Sequence, residues 1–474
     1  MEETLTINLL QGKKINEDEE DGDLKARILV ETKKLWQLLG PAIIYRISNY
    51  SMSVVTDSFA GHLGEVELAS MSIAEAVIVA FNFGLLLGMA TALETLCGQA
   101  YGAKRYNMLG IYLQRSWIVL GLASILLLPL YIYATPILVL FGQTKEVAEL
   151  AGKLSIWFIP IHLAFPFSCS LQRFLMSQCK IKIVALISTT TLGFHVLITW
   201  LFVYKLELGV VGAAVALDIS WWISCFAMLI YALGGWCPLT WDGFSMEAFS
   251  ELKEFLQLSS AAGVMLCLEF WYYRVLILMT GNLKNATIAV GALSVCLSIN
   301  GWELMIPFAF LAATGVRVSN ELGAGNAKAA KFAAKVSLAQ SVLIGILFCI
   351  LVMIFHNKLA LIFSSSIEII KAVDQISYLL AFTILLNSVK PVLSGVAIGS
   401  GWQSLVAYVN LGSYYVIGIP LGIFMGWVLN FGVEGIWCAM IFGGTAVQTG
   451  ILATITIRRD WKKQAGQALS RYEQ

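Results

Sequence analysis

Charged side chains are scarce in this chain of 474 residues: 13% are Asp, Glu, Lys or Arg, whereas 58% are hydrophobic. Ordinary soluble domains contain roughly a quarter charged residues, so a soluble fold is not expected. The net charge is +1 and basic runs are lacking, which argues against a nucleic-acid partner. Nine cysteines and four histidines are scattered without the spacing of a disulfide framework or metal site. We therefore predict neither a metal nor a cofactor.

Long apolar stretches are abundant instead. About 20 helical residues cross a hydrocarbon core of about 30 Å, and helices satisfy their own backbone polar groups in lipid. The sequence therefore predicts an all-α integral membrane protein with twelve transmembrane helices. The predicted spans are 36–59, 70–97, 110–138, 150–172, 183–204, 210–235, 253–280, 287–316, 336–355, 369–395, 404–428 and 433–457.

Basic residues outside these spans are distributed unevenly. Every second connection and both ends of the chain are rich in Lys and Arg, whereas the other connections carry only Lys145, Lys205, Lys284, Lys358 and Lys371. Cytoplasmic segments carry the excess of Lys and Arg in membrane proteins. We therefore expect both termini in the cytoplasm.

The two halves of the chain resemble each other at an offset of 220 to 223 residues. Gly61-His62-Leu63 falls on Gly281-Asn282-Leu283, and Gly102 falls on Gly323. A duplicated six-helix unit of one orientation is a recurring plan of transporters, with the site between the halves. We predict a disordered cytoplasmic tail (1–34), an N-lobe (35–236), a cytoplasmic linker (237–252), a C-lobe (253–458) and a cytoplasmic C-terminal tail (459–474).

Two acids, Glu269 and Glu303, fall nearest the middle of their predicted spans. A carboxylate at that depth costs at least about 2.5 kcal/mol on insertion scales, so each requires an explanation. The ungapped repeat alignment places Asn49 and Asn82 at the corresponding positions of the first half. We therefore expect a proton or sodium site in the second half.

Glu269 admits two interpretations. A desolvated carboxylate that takes up and releases a proton would suit a coupling site. Alternatively, Glu269 forms a static ion pair with a basic residue such as Arg274 or Lys390. The sequence leaves both open.

Aromatic, sulfur and amide side chains near these acids are candidates for a solute chamber: Asn49, Trp271, Tyr272, Trp302 and Met305. Prolines inside the predicted spans remove a backbone hydrogen bond and favour kinks. The candidate hinges are Pro41, Pro307 and Pro391, and Pro160 also interrupts the fourth span.

Four segments carry a family resemblance: GHLG at 61–64, ETLCGQAYGA at 94–103, RVSNELGAG at 317–325 and PVLSGVAIGSGWQ at 391–403. Together they resemble the multidrug and toxic compound extrusion (MATE) family, and in particular its plant detoxification-type branch. The resemblance implies two six-helix lobes around a V-shaped chamber. It also implies alternating-access antiport of organic solutes, such as flavonoids, alkaloids or xenobiotics, against protons or sodium ions.

The resemblance also implies where coupling takes place. In plant members the coupling acids lie on the first and fourth helices of the C-lobe, and Glu269 matches the first position. At the second, many plant relatives read Leu-Asp-Ser, whereas this chain has Leu386-Asn387-Ser388. Asn387 would then bind Glu269 or a cation, and Glu303 would supply the missing charge.

Other functions are weighed against this one. A flippase for lipids or polyprenyl-linked solutes would need a strongly basic cavity, but only Arg46, Arg274 and Lys390 lie deep in the spans. A membrane enzyme would need clustered catalytic groups, and none stands out. A major-facilitator uniporter would carry a different loop after the second span. We expect a monomer in the vacuolar or plasma membrane.

Overall fold

The computed structural model describes residues 24–281, 286–363 and 366–472, and these ranges are helical without β-strands. Residues 1–23 of the predicted disordered tail lie outside them. Short helices at Ala134–Leu140, Met246–Phe249 and Trp461–Ser470 accompany the long ones. The long helices are α1 (Leu24–Leu63), α2 (Glu65–Gly102), α3 (Asn107–Ile132), α4 (Lys145–Trp157 and Ile159–Ser177), α5 (Ile181–Lys205), α6 (Gly209–Leu233), α7 (Leu252–Gly281), α8 (Ala286–Gly323), α9 (Ala327–Phe363), α10 (Ile367–Ser400), α11 (Gln403–Val428) and α12 (Gly432–Arg458).

The predicted all-α membrane fold is confirmed. Ten helices of the described ranges are long and apolar enough to cross a membrane, and the two parts of α4, bent by 48°, make an eleventh. The bend lies at the predicted interruption beside Pro160. Helix α1 is more polar, since Arg46, Asn49 and Asp57 lie within it. Its 40 residues are nevertheless about 60 Å long at about 1.5 Å per residue.

Helix α1 begins at Leu24, so residues 24–34 are helical rather than disordered as predicted. This first part of α1 contacts helices from the other half of the chain. Glu31 binds Arg317, and Thr32 accepts a hydrogen bond from Gln340 at 2.7 Å. Tertiary contacts therefore order a segment whose own composition is polar.

Buried apolar clusters divide the bundle into two lobes, α1–α6 (the N-lobe) and α7–α12 (the C-lobe). One cluster lies almost wholly in the N-lobe, and two others, around Trp437 and Val396, lie in the C-lobe. A fourth joins α1 to α8 through residues such as Leu38 and Ala313. The predicted domain boundaries and linker remain predictions.

The backbones of the two lobes touch where α2 and α8 end, a region we call the closed end (residues 94–102 and 315–323). A methyl group added to Gly102 would clash with the carbonyl oxygen of Asn320, and one added to Gly323 would clash with that of Gln99. Glycine at both positions lets the two backbones touch. Small residues allow such close helix packing in membranes.

The proposed proline hinges lie inside continuous helices: Pro41 in α1, Pro307 in α8 and Pro391 in α10. Their role as hinges stays a prediction. Wide π-helical turns, which often mark functional sites, occur instead at Ala74–Val79, Leu201–Lys205, Leu411–Gly418, Phe424–Val428 and Met440–Ala446.

Candidate functional site

Glu269 of α7 and Lys390 of α10 form an ion pair inside the C-lobe. The Nζ atom of Lys390 lies 2.7 Å from Oε1 of Glu269, and both side chains are buried. The second oxygen, Oε2 of Glu269, has no hydrogen-bond partner among the described residues. Of the two bases considered from sequence, the structure therefore selects Lys390.

Tyrosine side chains surround this pair. The ammonium group of Lys390 lies 3.5 Å from the Tyr273 hydroxyl, 5.2 Å from the Tyr273 ring centre and 6.0 Å from that of Tyr414. Hydroxyl oxygens and ring faces both interact favourably with a cation. The surroundings therefore offer Lys390 other partners if Glu269 loses its charge.

Asn387, which precedes Lys390 by one helical turn on α10, contacts Glu303 of α8. Asn387 donates a hydrogen bond from Nδ2 to Oδ1 of Asn300 at 2.9 Å. Both Oδ1 of Asn387 and Oε2 of Glu303 are buried without a partner in the described structure. The predicted trio of Glu269, Asn387 and Glu303 is thus gathered in one lobe, although Asn387 binds Asn300 rather than Glu269.

Two of the predicted chamber residues lie between the lobes. The ring of Trp271 meets that of Phe81 edge to face with centres 5.4 Å apart, and Trp302 meets Tyr50 in the same way at 5.0 Å. Met305 is half-buried on α8. These contacts join C-lobe helices to α1 and α2.

The other two face different surroundings. Asn49 donates to Ser188 Oγ at 3.2 Å within the N-lobe and remains half-buried. Tyr272 does not line the space between the lobes: it is 1% exposed, stacks on Tyr414 at 4.3 Å and donates to the Met440 carbonyl at 2.7 Å. Successive helical residues point about 100° apart, so Tyr272 turns inward where Trp271 faces the N-lobe.

A second buried ion pair, between Glu94 of α2 and Arg173 of α4, lies in the N-lobe at its border with the C-lobe. Oε1 of Glu94 has no hydrogen-bond partner among the residues that the structure describes, and a methyl group at Gly315 of α8 would clash with it. Arg46 of α1 lies close enough to interact electrostatically with both members. This pair therefore sits in a locally cationic, tightly packed environment.

Both ends of the described chain cross over to the opposite lobe at the closed end. Arg317 of α8 donates from Nε to Glu31 Oε1 at 2.9 Å and from Nη2 to Glu321 Oε1 at 2.7 Å. After the short helix Trp461–Ser470, Tyr472 donates from its hydroxyl to the Leu96 carbonyl of α2 at 3.1 Å. Helix α1 of the N-lobe thus contacts the C-lobe, and the segment that follows α12 contacts the N-lobe.

Three of the four sequence segments that carried the resemblance meet at this same place. Thr95 donates to the Ile398 carbonyl at 2.6 Å and accepts a hydrogen bond from Gln403 at 2.7 Å. Gln99 donates to the Gly399 carbonyl at 3.1 Å. Segments 94–103, 317–325 and 391–403 therefore form one interlobe contact.

Asn300 and Tyr273 were missed by sequence reasoning. Asn300 precedes Glu303 by three residues and Tyr273 follows Glu269 by four, the spacings at which side chains share a helix face. That spacing was the available signal. Pairing across helices leaves no comparable trace in one sequence.

The chain is similar to known proteins along most of its length. The MatE family model matches residues 41–201 and 261–424. Protein DETOXIFICATION 27 of Arabidopsis thaliana is 61% identical over 454 residues, covering 96% of this chain and 93% of that protein.

Solved structures give the same result. The crystal structure of the eukaryotic MATE transporter AtDTX14 superposes with a TM-score of 0.90 at 36% identity, covering 94% of this chain and 99% of that one. The Vibrio cholerae MATE transporter VcmN in the bent form shares the fold at 17% identity and a TM-score of 0.76, covering 94% and 99%. These relatives are transporters rather than enzymes, and this chain belongs to the MATE family of multidrug and toxic-compound efflux transporters.

Proposed function

We propose that this chain is a proton-coupled antiporter that exports or sequesters small organic solutes by alternating access. The observation that carries the proposal is the buried Glu269–Lys390 pair, which lies beside the Asn387–Glu303 contact. Three oxygen atoms of this cluster are buried and lack partners in the described structure: Glu269 Oε2, Asn387 Oδ1 and Glu303 Oε2. Such a cluster can gain and lose a proton with little change in the rest of the lobe.

Protonation of Glu269 would change the contacts of Lys390. The neutral carboxyl group no longer holds the ammonium group, which then turns towards the Tyr273 hydroxyl and the Tyr414 ring. Because Glu269 lies on α7 and Lys390 on α10, the two helices are freed to shift relative to each other. Coupling follows if the proton binds with different affinity in the two states of the transporter.

Glu303 supplies the second carboxylate of the cluster. In this proposal Asn387 occupies the position where many plant relatives carry an acid, and Glu303 of α8 places a carboxylate beside it. In this proposal Glu269 and Glu303 carry two negative charges, and Lys390 carries one positive charge. One added proton therefore brings the net charge of the cluster to zero.

The closed end must open in the alternate state, since it blocks the path between the lobes on one side. We place that end, with both termini, in the cytoplasm, because the excess of basic residues lies there. A flippase would depend on the three deep cations Arg46, Arg274 and Lys390. Because Glu269 neutralises Lys390, the cavity is less basic than a flippase requires. The membrane is vacuolar or plasma membrane, and the unit is a monomer.

Transport in proteoliposomes with separately imposed pH and sodium gradients tests the proposal. A panel of a flavonoid, an alkaloid and a cationic dye serves as substrate. We expect uptake to follow the pH gradient, and Glu269→Gln to reduce gradient-driven transport at least tenfold. The matched control is Glu149→Gln, which removes an exposed carboxylate paired only with Lys145 at 3.8 Å.

A double variant, Glu269→Gln with Lys390→Gln, keeps the cluster neutral if the single variant folds poorly. Undiminished proton-driven transport by a folded variant would remove Glu269 from the coupling role. Dependence on sodium alone would replace the proton by Na⁺, for which the free oxygens of Asn387 and Glu303 are suitable ligands. Dependence on neither gradient would overturn the antiport proposal.

A further inference from the structure

Two arginines deep in the bundle lack a carboxylate partner. Arg173, Arg317 and Lys390 each form an ion pair with a buried or nearly buried acid. Within the described residues, Arg46 of α1 and Arg274 of α7 form neither an ion pair nor a hydrogen bond. A guanidinium group at membrane depth is costly and requires a partner.

Both guanidinium groups lie between the lobes. Arg46 belongs to the N-lobe and lies over the Phe308 ring of the C-lobe, 5.9 Å from its centre. Arg274 belongs to the C-lobe and lies near Tyr50 of the N-lobe. Arg46 is half-buried and Arg274 is exposed, so both remain accessible to a solute that enters between the lobes.

The local charge around Arg46 is positive. Its acidic neighbour, Glu94, is already paired with Arg173, which leaves two guanidinium groups for one carboxylate. The other acids on α1 and α2 facing this region, Asp57 and Glu75, lie more than two helical turns further along α1 and α2, and Asp57 accepts a hydrogen bond from Ser72 at 3.2 Å. An added anion would restore neutrality at Arg46.

Aromatic rings border the same space. Phe308 and Phe270 meet edge to face with centres 6.0 Å apart, and Phe270 packs so closely on α2 that a methyl group at Gly84 would lie 2.9 Å from its ring. Arginine binds carboxylates through two parallel hydrogen bonds and stacks on flat rings. The space beside Arg46 thus offers a guanidinium group that can bind an anion and aromatic rings on which a planar ring can stack.

We propose that the space between Arg46, Arg274 and the Phe270–Phe308 pair is a solute site selective for aromatic organic anions, in which Arg46 binds the acidic group. This inference rests on the proposed solute antiport and names its substrate class. A ring that carries a carboxylate fits it better than an aromatic cation. A lipid phosphate shares the anionic group but lacks the ring.

Equilibrium binding to the purified full chain in detergent, without any gradient, tests this class. The probes are naphthalene-2-carboxylate, its neutral carboxamide, 2-naphthylmethylammonium and dihexanoyl phosphatidate. We expect the carboxylate to bind at least tenfold more tightly than the other three. Tighter binding of the cation, equal binding of the amide, tighter binding of the phosphatidate or no binding of the carboxylate would overturn the proposal.

Variants identify the residue responsible. Arg46→Gln should weaken carboxylate binding at least tenfold and leave amide binding unchanged, whereas Arg46→Lys should retain part of the preference. Arg274→Gln gives an independent reading if the Arg46 variant does not fold, and Arg105→Gln, an exposed loop arginine, is the matched control. Equal loss of both ligands in Arg46→Gln would indicate a structural role instead. Because binding is measured without a gradient, its failure leaves the coupling role of Glu269 untouched.

Discussion

In each lobe a buried ion pair joins two helices, and these two pairs differ in their base and in their surroundings. Glu94–Arg173 in the N-lobe lies against the backbone of Gly315 and near a further cation, Arg46. Glu269–Lys390 in the C-lobe lies beside Tyr273 and Tyr414, which offer the Lys390 ammonium group other contacts. Arginine presents a rigid planar fork of donors, whereas the lysine ammonium group is a compact charge on a flexible stem. We therefore expect the N-lobe pair to stabilise the structure and the C-lobe pair to change its contacts during transport.

Removing each acid is the strongest test of this difference. Glu94→Gln leaves Arg173 and Arg46 without a carboxylate, so we expect a loss of about 3–5 kcal/mol in the free energy of unfolding. Glu269→Gln leaves Lys390 in contact with the Tyr273 hydroxyl and with the rings of Tyr273 and Tyr414, and we expect less than half that loss. Unfolding of the purified variants in detergent measures both, and equal losses would contradict the comparison.

Exchanging the bases separates stability from transport. Lys390→Arg keeps the charge but replaces the compact, flexible ammonium group by a rigid planar one that cannot turn from Glu269 to Tyr273 in the same way, so gradient-driven transport should fall at least tenfold while the protein stays folded. Arg173→Lys loses planar hydrogen bonding and should lower stability by about 1–2 kcal/mol, with transport within twofold of the parent. Proteoliposome assays and unfolding curves on the same preparations provide both readouts. Normal transport by Lys390→Arg would exclude the proposed movement of the Lys390 ammonium group.

Crowding the N-lobe pair should lower the free energy of unfolding less than Glu94→Gln does. Gly315→Ala places a methyl group against Oε1 of Glu94, and overpacking of this kind costs about 1–3 kcal/mol. Gly450→Ala is the control, because no atom lies within 4 Å of the added methyl group. The control should be neutral or slightly stabilising, as alanine is favoured over glycine in helices. If both variants unfold alike, the contact with Glu94 is not tight.

The smallest effect is expected at Arg317, which has two carboxylates rather than one. Glu31→Gln removes one charge but leaves the 2.7 Å contact with Glu321, so we expect a loss of about 0.5–1.5 kcal/mol. Glu321→Gln should behave in the same way. A loss as large as that of Glu94→Gln would show that one acid alone neutralises Arg317.

Helix positions could be predicted from sequence because each long apolar run must cross the bilayer as a helix. The start of α1 could not, because Glu31 and Thr32 are ordered by contacts with the distant residues Arg317 and Gln340. Polar composition alone argued for disorder there. A segment that is ordered by contacts with residues distant in sequence shows no sign of those contacts in its own composition.

The candidate site was predictable in its members but not in its pairings. Depth in the membrane singled out Glu269, Glu303 and three deep bases, yet did not say that Lys390 rather than Arg274 would meet Glu269. A helix that is apolar on all sides gives no periodic pattern from which to read its orientation. For the same reason the sequence did not show that Tyr272 turns into the C-lobe and stacks on Tyr414.

The crossing of the two chain ends has a consequence for biosynthesis. Glu31 and Arg317 are separated by 286 positions in the chain. Glu31 at the start of α1 therefore cannot bind Arg317 until the ribosome has added the intervening residues. At about 5–20 residues per second this delay is roughly 15–60 s. Tyr472, whose hydroxyl contacts the Leu96 carbonyl of α2 at the same closed end, is synthesised later still. A chain whose translation stops before Tyr472 therefore lacks this contact between the lobes.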